Sequence, residues 1–197
     1  MESCFGGSVA GQLKEGGTVT ISRILKDKTV RAKEKARRLA IALKEGEVSY
    51  ASLYRVAQTA GMVDLGTCLE ALCIVTKENP SIAKKKMLLL ASSCLCSEGN
   101  RVKWEAAELI GNIAPLFKGA LEEPLEKLFL QAGEESVVVR FNTCYALTTV
   151  LLMDGCPGRE KIFRKVKAVA EAEKAEPVRK KYEKAIKKAK KRFAFPE

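Results

Sequence analysis

The chain has 197 residues, 47% hydrophobic and 30% charged, with a formal net charge of +11. That is ample for a buried core in one domain or a short repeat array, and it excludes a chain disordered throughout. No run reaches the 18 or more uncharged apolar residues of a membrane span, and with no histidine and no GxxxxGK[ST], GxGxxG or GxSxG there is no imidazole base, ordinary triad or familiar phosphate loop.

Residues 1–17 carry five glycines and few apolar side chains in any helical phase, so they are expected to form a flexible N-terminal arm. The opening MESCFGGSVAGQ lacks a basic start followed by a hydrophobic segment. No secretory signal is therefore expected, and the cytoplasm is the expected compartment. A first helix is predicted from Thr18 to Lys26, and Asp27 is placed to cap a second over Thr29–Leu43, with Gly46 beyond its end. Ser49 caps a third that Gly61 stops, and Asp64 opens a fourth to about Lys77. Asn79-Pro80 breaks the chain and starts a helix over Ser81–Cys96. Gly99-Asn100 turns it into Arg101–Ile113, which Pro115 ends.

Leu121–Gln131 and Ser136–Met153 follow, separated by Gly133. Gly155-Cys156-Pro157-Gly158 is the clearest loop, before Glu160–Ala172 and Pro177–Arg192. The prediction is all-α, ten helices in five antiparallel pairs, forming a single domain over 18–193 with a short tail at 194–197.

Three of these helices repeat one pattern. Aligning Val102, Val139 and Val178, which lie 37 and 39 residues apart, puts Ala106, Thr143 and Tyr182 at plus four. Plus seven and eight are apolar (Leu109-Ile110, Ala146-Leu147, Ala185-Ile186), and so is plus eleven (Ile113, Val150, Ala189). Offsets 0, 4, 7, 8 and 11 fall on one stripe of a 3.6-residue helix, and a period of this length indicates a solenoid. Weaker copies occur at Asp64–Thr76 and, with a slipped register, at Val30–Leu43.

The V-R-x-x-A-x-x-A-L-G-x-I-A pattern resembles the second helix of a HEAT repeat, best matched by Val102, Lys103, Ala106, Ile110, Gly111, Ile113 and Ala114. The resemblance spans most of residues 20–192. It implies a right-handed α-α superhelix, a HEAT-like solenoid of the armadillo type, whose second helices line an inner surface. It also implies that Arg140 and Arg31 pair with an acidic residue of a neighbouring unit, with Glu134 at the matching place before Arg140.

Offsets two, three, six and ten are then expected to face that inner surface. They give Trp104, Glu105, Glu108 and Asn112 on one helix, and Phe141, Asn142, Tyr145 and Thr149 on the next. On the last helix all four are lysines: Lys180, Lys181, Lys184 and Lys188. Exposed aromatic clusters anchor interfaces, so Trp104, Glu105, Glu108, Asn112, Phe141, Asn142 and Tyr145 are the candidate partner-binding residues. The alternative is that Trp104 and Phe141 pack into the seam between units.

Charge is uneven. Residues 1–43 hold nine basic and four acidic side chains, residues 159–197 fifteen and six, and the middle eleven and fourteen. Arg31, Lys33, Lys35 and Arg37 at one end, and Lys180, Lys181, Lys184 and Lys188 at the other, are the candidate phosphate or anion-binding residues. A DNA-binding branch of HEAT-like proteins, the alkylpurine glycosylases of alkylation repair, is similar in outline. Its Trp, Asp and Arg constellation is not convincingly present here, with one tryptophan and an acidic middle.

Seven cysteines (Cys4, Cys68, Cys73, Cys94, Cys96, Cys144, Cys156) are scattered, most at helix-core phases, as expected of reduced thiols. Without CxxC or histidine no metal or cofactor is expected, and Cys144 or Cys156 as a nucleophile lacks an evident base. The function the sequence points to is a non-enzymatic scaffold that binds a protein partner on its inner face. Nucleic-acid binding through the basic ends is the alternative.

Overall fold

The computed structural model describes residues 9–193 and Phe195, with side chains described from Gly17 onward. The described residues contain ten α-helices and no strand. The chain divides into two compact units, Met1–Val75 and Thr76–Glu197, within the span read above as one domain.

The first unit contains α1 (Val9–Lys26), α2 (Ala32–Lys44), α3 (Tyr50–Thr59) and most of α4 (Met62–Glu78). Helix α1 begins at Val9 rather than near Thr18, so residues 9–17 of the expected arm are helical; residues 1–8 lie outside the described residues. Gly17 is buried where α1 passes the α2–α3 turn. A Cβ there would sit in ordinary contact, 3.5 Å from the Glu47 carbonyl oxygen and 3.8 Å from the Ser49 nitrogen, so α1 lies against the α2–α3 turn at this point. Ile21 and Leu25 of α1, Leu39 and Leu43 of α2, Val48 and Leu53 are all buried.

Asp27 does not cap α2. Its carboxylate accepts from the Thr29 amide at 2.9 Å, closing a local turn, and α2 starts three residues later, after Arg31. Gly46 turns the chain with φ +78°, and Ser49 caps α3 by accepting from the Ser52 amide at 3.0 Å.

The second unit stacks three antiparallel pairs: α5 (Lys85–Cys94) with α6 (Asn100–Ile113), α7 (Glu122–Gln131) with α8 (Val137–Leu152), and α9 (Arg159–Ala172) with α10 (Glu176–Arg192). Helix α6 packs along α8, and α8 along α10, so the second helices of the pairs form one continuous layer. Pro80–Ile82 makes a separate 3-10 turn capped by Asn79, and Ala83 and Lys84 are extended, so α5 starts four residues later than Ser81. Short 3-10 turns at Ala114–Leu116 and Lys118–Ala120 take up the chain where Pro115 stops α6.

Candidate functional site

The repeat stripe is the core of the second unit. Val102, Ala106, Leu109, Ile110 and Ile113 on α6, and Val139, Thr143, Ala146, Leu147 and Val150 on α8, are essentially inaccessible. On α10, Val178, Tyr182, Ala185 and Ala189 are buried while Ile186 is half-buried. With that stripe consumed, the remaining positions of α6, α8 and α10 are the material for a site.

At the centre of this layer Tyr145 lies flat against α6. A Cβ on Gly111 would fall 2.5 and 2.6 Å from two Tyr145 ring carbons, so the ring fits only because position 111 has no side chain. The Tyr145 hydroxyl donates to Asn112 Oδ1 at 2.9 Å, and Asn112 Nδ2 donates to Thr76 Oγ1 at 3.2 Å. This chain ties α8 to α6 and α6 to the end of α4, and fixes the plane of the Tyr145 ring.

Beside that ring, Phe141 is 41% exposed. The Lys181 ammonium, reaching over from α10, lies 3.8 Å from the Phe141 centroid and 5.2 Å from that of Tyr145, so two aromatic faces hold one cation. Burial pushes the Lys181 amine below the ordinary lysine range, while the Glu108 carboxylate acts in the opposite direction. Glu108 itself is half-buried and pairs with Lys77 at 3.6 Å.

The expected surface residues divide. Phe141 is exposed; Trp104, Glu108, Asn142 and Tyr145 are half-buried; Glu105 and Asn112 are buried. The two buried ones sit beneath the face rather than on it. The Trp104 indole N–H donates to Glu105 Oε1 at 2.9 Å, and Asn142 Nδ2 bonds back to the Val138 carbonyl at 3.1 Å. Trp104 thus belongs partly to the seam, and Phe141 to the surface.

The expected arginine ladder exists with a different partner. Arg140 grips Glu173, in the α9–α10 turn, through Nε to Oε2 at 2.9 Å and Nη2 to Oε1 at 3.0 Å. It also donates to the backbone carbonyls of Glu134 and Glu135. The Glu134 carboxylate takes Lys103 instead, at 2.7 Å. In each case the cation one residue past the stripe's first valine holds the turn that precedes the next second helix. Burial raises the Glu173 pKa, but hydrogen bonds from Arg140 and the Ala175 amide outweigh it and hold the carboxyl below the usual range. Arg31 does not join this ladder; it is exposed and precedes α2.

The other anion-binding candidates also divide. Lys35 donates to the Leu25 carbonyl, and Arg37 faces Glu34 at 3.8 Å. Lys33 is exposed. Lys180 pairs with Glu176 at 2.6 Å, whereas Lys184 and Lys188 stand exposed on the same side of α10 as Lys181. Burial pushes the Cys68 and Cys144 thiols up to about 12 and raises Cys94 and Cys156 as well, which makes these four poor nucleophiles. Cys96 is the exposed cysteine among the described residues.

Two features escaped the sequence. A groove of about 300 Å³ runs between α7 and α9, lined by Leu121, Leu125, Phe129, Pro157 and Ile162. At the C-terminal end, Phe195 stacks on Phe163 with centroids 4.0 Å apart, and the Arg159 guanidinium lies 3.6 Å above Phe193. Each gathers residues from segments far apart in the chain, so neither leaves a local signal.

No family model and no curated protein matches the chain. Solved structures do. The designed armadillo repeat protein YIII(Dq.V1)4CPAF, in complex with the peptide (KR)4, superposes with a TM-score of 0.64 at 17% identity, covering 90% of this chain and 88% of that one. The designed armadillo repeat protein YIII(Dq)4CqI gives 0.60 at 16% identity, covering 89% and 88%. Likeness at this level of identity establishes the fold: the chain is an armadillo/HEAT-like α-solenoid. No helix among the described residues is long and apolar enough to cross a membrane.

Proposed function

We propose that the second unit is a non-enzymatic interaction module that docks an extended protein segment on the α6–α8–α10 face, around Trp104, Phe141 and Tyr145. The observation that carries this reading is Phe141: a large aromatic, 41% exposed, held beside a Tyr145 ring that Gly111 and Asn112 fix in place. A rigid aromatic presented at low entropic cost is the usual anchor of a protein interface. The peptide-bound designed armadillo protein gives a precedent for the fold as a peptide carrier.

Phe141→Ala tests the reading. The variant should melt near wild type and lose a partner that the wild-type chain retains from native extract. Retention of the same partner by a folded variant sinks the proposal. Trp104→Ala is a poorer probe, because it strips a donor from the buried Glu105 carboxylate and mixes folding with binding. Trp104→Phe keeps the ring surface and removes only the N–H.

A further inference from the structure

The face is graded in charge, and the grade specifies the occupant. Across the layer the accessible side chains run from Glu108 on α6, through Phe141 and Tyr145 on α8, to lysines on α10. Lys181 fixes the direction of the lysine stripe, since its ammonium is seated on Phe141. Lys184 and Lys188 follow at spacings of three and four residues, and so share that side of the helix.

We propose that this face binds an extended segment of one-sided charge: carboxylates at the end lying on α10, an apolar side chain on Phe141, and no acidic residue at the end lying on α6. The inference rests on the docking reading above and names its partner. Second helices packed roughly 8–10 Å apart put α6 and α10 about 20 Å apart, which an extended chain covers in about six residues. Charge complementarity selects the acid for the α10 end, since Lys184 and Lys188 are exposed there and residues 159–197 carry fifteen basic side chains against six acidic. Glu108 is the accessible acid of the α6 end, and the Lys77 and Lys181 cations beside it are already engaged, so nothing there favours a second carboxylate.

The same gradient decides against a nucleic acid, whose phosphates are uniformly spaced and would bring negative charge onto α6 as well as α10. It also separates this chain from its designed neighbour, whose bound peptide (KR)4 is uniformly basic.

The test uses fluorescein-labelled octapeptides on the full chain, read by anisotropy. One has four acidic residues, then leucine, then three neutral residues; the second replaces the acids by lysine; the third is (KR)4. The half-acidic peptide should bind saturably, and about tenfold tighter than either basic peptide, with affinity falling as salt rises. The double variant K184E/K188E, both sites exposed, should weaken it about tenfold without changing the melting temperature, and Phe141→Ala should weaken it severalfold.

Equal or tighter binding of a basic peptide overturns the charge assignment. So does an acidic peptide indifferent to K184E/K188E, or a single-stranded DNA that binds as tightly with the same dependence on those lysines. If a basic peptide binds instead and is lost with Phe141→Ala, the docking face stands and only its partner is reassigned. Binding lost with K184E/K188E but untouched by Phe141→Ala sinks the face reading itself.

Discussion

The two basic ends of the chain look alike in composition and differ in what their charges do. In α2 most of the cations are absorbed locally: Arg38 lies 3.1 Å from Asp27 and 3.4 Å from Glu34, and Lys35 reaches the Leu25 carbonyl, while Lys33 stays exposed. In α10 one cation, Lys180, pairs with Glu176, another, Lys181, is consumed by two aromatic rings, and Lys184 and Lys188 stand on display. Positive charge density is therefore no guide to a site until each cation's neighbours are known.

The sharpest contrast is between two arginines that each pair with acids. Arg140→Ala strands Glu173, whose side chain is 2% exposed, and should cost about 3 kcal/mol, the lower end for a broken buried pair because Arg140 itself keeps some solvent. Arg38→Ala removes exposed pairs and should leave the urea midpoint unchanged. Similar losses for both would erase the distinction.

The Arg140–Glu173 pair also sets a pH signature. The Glu173 pKa is depressed on folding, so the unfolded chain binds the proton more readily and stability falls as pH drops below the ordinary carboxylate range. Glu173→Gln should flatten that acid limb, seen as a smaller change in melting temperature between pH 5 and pH 3.

Next in size, Gly111→Val should cost about 1–3 kcal/mol, since the new side chain must evict the Tyr145 ring or push against the Ala146 Cα 3.3 Å away. If the face depends on a fixed Tyr145, this variant loses the labelled peptide even at temperatures where it stays folded. Lys181→Met, which keeps the stem and removes the charge, should cost below about 1 kcal/mol as judged by chemical denaturation, the value of one partly exposed cation on aromatic rings. The smallest effect belongs to Tyr182→Phe. The Tyr182 hydroxyl is buried beside the Cys144 thiol without a hydrogen bond of ordinary geometry, so its removal should be neutral or slightly stabilising.

The periodic part of this structure was legible because it rests on one rule repeated: every stripe residue of α6 and α8 is buried as the 3.6-residue period requires. Local chemistry was equally readable at Ser49, whose hydroxyl accepts from the Ser52 amide. The surface assignment was less reliable for a geometric reason. At about 100° per residue, offsets three and ten lie at roughly 300° and 280°, on the flank of the stripe, whereas offsets two and six lie at roughly 200° and 240°.

Flank positions meet the neighbouring second helix, which is why Glu105 and Asn112 are buried while Phe141 is exposed. In α10 the same flank position is Lys181, which lies on the α8 rings and remains half-buried. The start of α1 was illegible because Gly16-Gly17 reads as a break, yet α1 runs through both glycines.

The paired turns have a consequence for how the second unit comes apart. Lys103 holds the turn before α8 through Glu134, and Arg140 holds the turn before α10 through Glu173, so each pair is latched by the one that precedes it. Within this unit the α9–α10 pair is held on one side only, whereas α6 is also tied to the end of α4 through Asn112–Thr76 and Glu108–Lys77. Opening should then proceed as unzipping from that pair inward, with α10 amides exchanging with solvent before those of α8, and α6 last.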